Sequence, residues 1–230
     1  MDFFSQSLSV ALDLIFQFDP IVWRVVWVSL KISLIAVIIS AALAIPLGTF
    51  IAIAKFKGKQ FLQQILNTLM AIPTVVIGLL LYGLLSRQGI LGSLGLLYSQ
   101  WAIILGECLL IFPILVNLTI VAIHSSDSRL VPTLLSLGAN KWQLVKGVLS
   151  ETRFAVMAGL VTGFGRAIGE VGIAMMLGGN IEGHTRTMTT AIALETSKGE
   201  FESGLALGIL LLTIAFIVNI GLQQLQREAE

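Results

Sequence analysis

Arg166 and Glu170 stand four residues apart in GFGRAIGEVG, residues 163–172, inside an apolar run. On a helix this spacing puts both side chains on one face, where guanidinium and carboxylate can pair and each lowers the cost of burying the other. Such a pair serves either of two ends: it braces a packed helix, or it lines a solute path and opens or closes it. A guanidinium released from its partner would also favour an anionic solute. Glu107, a second carboxylate in apolar sequence, is a candidate for the same path. Gly159 and Gly163 are four apart, as are Gly165 and Gly169, and small residues at this spacing let helix backbones approach closely.

Other chemistry is missing from the sequence. No G-x-x-x-x-G-K-[ST] run occurs, so the chain carries no phosphate-cradling loop of its own. The two histidines, His124 and His184, fall at opposite ends of the apolar segments and cannot share a site. No His, Asp and Glu combination has metal-ligand spacing on one helix. Glu202-Ser203-Gly204 lacks the leading glycine of a nucleophile elbow, which argues against an intramembrane hydrolase. Transport, a channel or a structural subunit remain.

These residues need a membrane around them. Of 230 residues 56% are hydrophobic and 12% charged, against roughly 45–50% and 25% in soluble domains. A net charge of +1 provides no field to attract nucleic acid, and one cysteine permits no intrachain disulfide. Five stretches reach the roughly 20 apolar residues a spanning helix needs: 25–53, 61–85, 101–123, 154–177 and 205–222. Lys55, Lys57, Lys59, Arg129, Lys141, Lys146, Arg153 and Arg227 fall on one side; Arg24, Arg87, Arg186 and Lys198 fall on the other. The positive-inside rule then puts the first and third loops and the C-terminus in the cytoplasm and the N-terminus outside. Pro46, Pro73 and Pro113 lie within spans, where the carbonyls they free need neighbouring helices or water.

Three further segments organise the chain. Residues 1–21 carry Phe4, Leu8, Leu12, Ile15 and Phe16 at helical spacing, which predicts an amphipathic helix lying on the membrane surface. Because the segment lacks a basic start, a cleaved signal is not expected. The cytoplasmic loop 124–153 predicts two short helices: Asp127 or Ser128 caps the first, Pro132 fits its first turn, Gly138 ends it and Asn140 caps the next. Exposed leucines and Trp142 there suit a docking surface better than a plain linker. The outer loop 178–204, polar and threonine-rich, predicts a helix over 188–196; it meets an external partner or is a solvated connection. Residues 223–230 form a cytoplasmic tail.

The loop followed by GFGRAIGE resembles the permease subunits of binding-protein-dependent ATP-binding-cassette importers. Their loop signature is an E-A-A triplet, a glycine four residues after its last alanine, and an I-x-L-P. Gly138, within LGANKWQ, matches that glycine; the triplet here reads Pro132-Thr133-Leu134 and the end Val148-Leu149-Ser150-Glu151. IPTVVIGLLL at 72–81 looks like the family's second-span region. Residues 163–201 are similar to tungstate uptake permeases, and molybdate, sulfate and phosphate permeases carry close variants of GRAIGE. The resemblance, over 22–222, implies an all-α type I importer transmembrane domain of about five spans with a cytoplasmic coupling helix. It implies a homodimer in the lipid membrane, fed an oxyanion, tungstate first, by an extracytoplasmic binding protein. Separate ATPase subunits, which bind the ATP and Mg, would dock at Leu130, Thr133, Leu134, Leu137, Gly138, Ala139, Asn140 and Lys141; this chain itself would carry no cofactor and catalyse no hydrolysis. The rivals are an ion-driven secondary transporter, which would show paired internal repeats with matching broken helices, and a non-transporting scaffold.

Overall fold

Asp19 and Pro20 start the first long helix. The Ile21 and Val22 N–H groups donate to the Asp19 carboxylate at 2.9 and 3.0 Å, and Pro20 occupies the first turn, where a missing N–H costs nothing. In the computed structural model, which describes residues 3–227, the chain is all helix apart from turns and loops. Helices α1 (Phe3–Phe16), α2 (Pro20–Ile53), α3 (Lys59–Met70), α4 (Thr74–Leu85) and α5 (Gln100–His124) come first. A 3-10 turn, Gly92–Leu94, sits between α4 and α5. Then follow α6 (Leu130–Ser136), α7 (Lys141–Glu151), α8 (Arg153–Ile168), α9 (Gly172–Gly178), α10 (Met188–Lys198) and α11 (Phe201–Arg227).

Three helices, α2, α5 and α11, are long and apolar enough to cross a membrane unbroken. The other two spans read from the sequence are bent pairs: α3 and α4 turn by 93°, and α8 and α9 by 57°. Pro73 is the N-cap of α4, and the residue before a proline is pushed out of the helical region, so the chain turns there. Pro46 and Pro113, by contrast, lie inside α2 and α5, which run along each other and stay continuous.

α5 is the centre of the molecule. It touches α2, α3, α4, α8 and α9, and Ile103, Ile111, Leu115 and Val116 on it are fully enclosed beside Ile32 of α2 and Ile173 and Leu177 of α9. Close approach depends on glycines at the crossings. A Cβ on Gly48 of α2 would fall 2.9 Å from the Val116 carbonyl oxygen and 2.8 Å from Thr119 Cβ, both on α5.

α1 packs against α11. It buries Ser7 and Ala11, and the Ser7 hydroxyl donates to the Glu202 carboxylate at 3.0 Å. The expected apolar stripe divides: Leu12 and Phe16 are exposed, Leu8 and Ile15 are half-buried with Ile15 against the core, and the Phe4 side chain lies outside the described residues.

Replacing Gly48 by alanine forces α2 off α5 against a backbone atom, an overpacking cost of about 1–3 kcal/mol. Gly83 of α4 has open space where its Cβ would be, so Gly83→Ala is the control. The thermal midpoint of the detergent-solubilised chain should fall for Gly48→Ala and hold for Gly83→Ala; equal midpoints would contradict the crossing described.

Candidate functional site

The site forms where α8 stops. Its last residue is Ile168, Gly169 closes it, and Glu170 and Val171 carry the chain round to α9. A helix that ends at membrane depth leaves N–H and C=O groups with no water to meet. Glu170 meets two of them. Its Oε1 accepts from the Ile173 N–H at 3.2 Å, capping α9, and its own carbonyl accepts from the Thr189 hydroxyl at 2.7 Å. Its Oε2 accepts from Arg166 Nη1 at 2.9 Å. The expected pair therefore exists, but it straddles a helix end rather than running along one helix face. The environment is lopsided: the Glu170 side chain is 3% exposed and that of Arg166 40%.

The loop after α9 tightens this corner. Thr187 caps α10 in a reciprocal box with Thr190, and the Thr187 and Thr189 hydroxyls lie 3.0 Å apart. The Met188 N–H donates to the Ser29 hydroxyl of α2 at 2.7 Å. Met188, Thr189 and Thr190 are buried, so the first turn of α10 is enclosed, while residues 181–184 and 196–200 of the same outer loop are exposed. α4 closes the other side: a Cβ on Gly172 would lie 3.3 Å from Thr74 Oγ1 and 3.3 Å from Glu170 Oε1, so the breaks in the two bent pairs face each other.

Glu107 lies behind this corner, beside the Ser33 hydroxyl and within electrostatic reach of Glu170. At 2% exposure it is enclosed within this chain. Its Oε2 has no hydrogen-bond partner among the described residues. The four packing glycines divide. Gly159 and Gly163 abut Leu118 and Leu115 of α5, at 3.2 and 2.8 Å from a built Cβ. Gly165 has nothing within 4 Å and Gly169 meets only the Gly165 carbonyl oxygen, so these two pack on no other helix of the chain; the helix is ending there.

At the far end of α8 lie the two short helices. Asp127 accepts from the Arg129 N–H at 2.8 Å, but the N-cap of α6 is Arg129 rather than Asp127 or Ser128, and no side chain caps the helix. Gly138, at φ +80°, closes α6: its N–H donates to the Leu135 carbonyl and the Ala139 N–H to the Leu134 carbonyl, a Schellman turn. Asn140 caps α7 reciprocally with Gln143. Leu130 and Leu134 turn inward onto Leu144 and Val148, with Leu134 filling the space beside Gly147. Ala139 is half-buried; Thr133, Asn140 and Lys141 are exposed. Leu137 is 77% and Trp142 76% exposed, so the outward surface centres on these two.

Residues 44–229 match the model of the binding-protein-dependent transport system inner membrane component. The chain belongs to this family. Permeases similar to it include the tungstate uptake system permease protein TupB of Peptoclostridium acidaminophilum, 38% identical over 99% of this chain and all of that protein. The molybdenum transport system permease protein ModB of Escherichia coli (strain K12) is 29% identical over 90% of this chain and 95% of its own. Among solved structures, the inward-facing MetNI methionine ABC transporter superposes with a TM-score of 0.75 at 14% identity, covering 92% of this chain and 99% of that one, and so shares the fold. Membership makes the chain an integral inner-membrane component of a transport system, and the importer permease resemblance read from the sequence is borne out. The sequence reading missed Thr189 and Ser29 of this permease; TMTT, at 187–190, was the one available signal, since hydroxyls clustered at a helix start announce a cap.

Arg166→Ala should cost about 2–3 kcal/mol, less than a fully buried pair because Arg166 is part-exposed. Glu170→Gln keeps an oxygen for the Ile173 N–H, whereas Glu170→Ala orphans that donor for a further 1–3 kcal/mol or so. The exchange Arg166→Glu with Glu170→Arg should not restore stability, because arginine has no acceptor for that N–H. Thermal midpoints of the four variants check the order; recovery by the exchange would show that the ion pair alone matters.

Proposed function

We propose that this chain is the membrane permease subunit of an ATP-driven importer of group-six oxyanions, tungstate first. The observation that carries the reading is 38% identity, end to end, with a tungstate uptake permease. In this reading two copies enclose the path, with the first loop, the 124–153 loop and the C-terminus in the cytoplasm. A separate extracytoplasmic protein delivers the anion, and separate ATPase subunits bind the ATP and Mg and grip α6 and α7. Two features support the ATPase contact. The chain has no phosphate-cradling loop of its own, and Leu137 and Trp142 form an apolar surface on a capped, rigid turn. Arg166, the half-exposed member of its ion pair, is the cation placed to attract the anion. The likeness to a molybdenum permease makes molybdate the competing substrate.

Two measurements test this. Vesicles holding the chain with its ATPase and binding protein should accumulate tungstate only when ATP is supplied, and excess molybdate sets the selectivity. Uptake driven by an ion gradient without the ATPase would instead establish a secondary transporter. Leu137→Asp should remove an interface anchor worth about 2 kcal/mol or more and weaken ATPase retention more than tenfold, with membrane insertion unchanged. Leu137 is the better probe than Gly138, where any side chain is strained by the positive φ.

A further inference from the structure

A cleft of about 490 Å³ runs between the outward faces of α2 and α5, away from Arg166 and from α6. Ile39 and Leu43 form one wall, and Trp101, Leu105, Leu109 and Phe112 the other. Its floor holds two polar side chains, and both are turned into backbone: the Ser40 hydroxyl donates to the Cys108 carbonyl, and the Cys108 thiol to the Ala36 carbonyl, each at 3.5 Å. What remains facing outward is hydrocarbon. From Trp101 to Phe112 the cleft follows α5 for roughly 17 Å at 1.5 Å per residue, against about 15 Å for one leaflet of a 30 Å bilayer core. Its mouth lies at the start of α5. There Lys31, the one charged residue in the first span, donates to Gln100 Oε1 at 3.1 Å, while Gln100 Nε2 donates to the His184 carbonyl at 2.6 Å. Lys31 is not itself a wall of the cleft, but its bond to Gln100 puts an exposed ammonium at the start of α5, next in sequence to the Trp101 indole that lines it, and this pairing matches the phosphate and one acyl chain of a single phospholipid.

We propose that this cleft holds a resident phospholipid of the leaflet at the Lys31 end, with one acyl chain against Trp101–Phe112 and its phosphate on Lys31, and that it prefers an anionic headgroup. A lysine costs membrane stability unless it reaches the interface, and the Gln100 bond holds it on the side of the mouth rather than free in the aqueous layer. The walls of the cleft stop at Phe112, about halfway along α5.

Trp101 reports occupancy directly. The full-length chain in its complex is placed in nanodiscs containing phosphatidylglycerol or phosphatidylcholine with brominated acyl chains, and the Trp101 signal is taken as the difference from the same complex carrying Trp101→Phe. Brominated phosphatidylglycerol should quench Trp101 at about fivefold lower mole fraction than phosphatidylcholine, the factor expected from one lysine beside a headgroup of net negative charge, because the choline ammonium cancels the phosphate that both lipids carry. Lys31→Gln should erase that preference while quenching persists. Equal quenching by both lipids in the parent would mean ordinary boundary lipid, and no quenching would mean that a protein covers the cleft; either overturns the proposal without depending on how the variant folds.

Discussion

Everything on one side of the molecule depends on how the chain stops a helix in the middle of a membrane. An unfinished helix end in lipid exposes amides that hydrocarbon cannot satisfy. Glu170 resolves this by acting three ways at once: carboxylate cap of α9, carbonyl acceptor for Thr189, and counter-ion for Arg166. Remove the carboxylate and α8 and α9 lose their common point, while the Thr189 bond to the Glu170 main-chain carbonyl remains. The charge in the membrane is thus explained first by backbone chemistry, and only then by anything a solute does.

That arrangement dictates where the remaining groups go. A capped α9 can lie against α4 only because Gly172 admits the Thr74 hydroxyl and the Glu170 carboxylate at contact distance. α9 can reach α5 only because Gly106 leaves room, a built Cβ there falling 2.3 Å from Ile173 Cγ2. With α9 fixed, α10 docks by its first turn, through Thr189 to Glu170 and through Met188 to Ser29. Glu170 faces inward and Arg166 outward, so the ion pair joins the enclosed corner to the open face of the chain. Glu107 sits wholly on the inner side, beside Ser33 and near Glu170.

Much of this could be read from residues alone, and the failures have a common cause. The number and order of apolar segments, the Arg166–Glu170 pairing, the Gly138 stop and the Asn140 start all follow from local chemistry, and each is where it was expected. The two bends were not legible. Pro73 breaks its helix while Pro46 and Pro113 do not, and nothing next to those prolines distinguishes them; the difference lies in the long α2–α5 contact that keeps those two helices running. The glycine pairs mislead for the same reason. Gly159–Gly163 and Gly165–Gly169 share a spacing, but only the first pair has α5 opposite it. The N-terminal stripe was visible as a pattern, yet its partner, α11, lies at the other end of the sequence, and the docking face takes in Ser7 and Ala11, which the stripe does not contain.

The geometry also links the two ends of α8. α7 runs into α8 through the single residue Thr152, whose N–H and hydroxyl both donate to the Val148 carbonyl, at 3.0 and 2.9 Å. Val148 is fully buried, anchored with Leu144 against Ala52 and Ile123, the terminal turns of α2 and α5. A load on Leu137 or Trp142 therefore enters a capped, packed unit rather than a slack loop, and passes to a helix whose other end is the Arg166–Glu170 break. Along α8 the stiff contacts are Gly159 and Gly163 against α5, and past them the helix has no packed glycine neighbour before it ends. Ala167 and Ile168 at the end of α8 are themselves buried, so the change of direction falls at the break itself, where one buried carboxylate holds a part-exposed guanidinium. In the proposed transporter that is where movement started at the ATPase surface would be felt by an anion, because turning α8 against α9 must lengthen the Arg166–Glu170 contact or carry Glu170 away from Ile173.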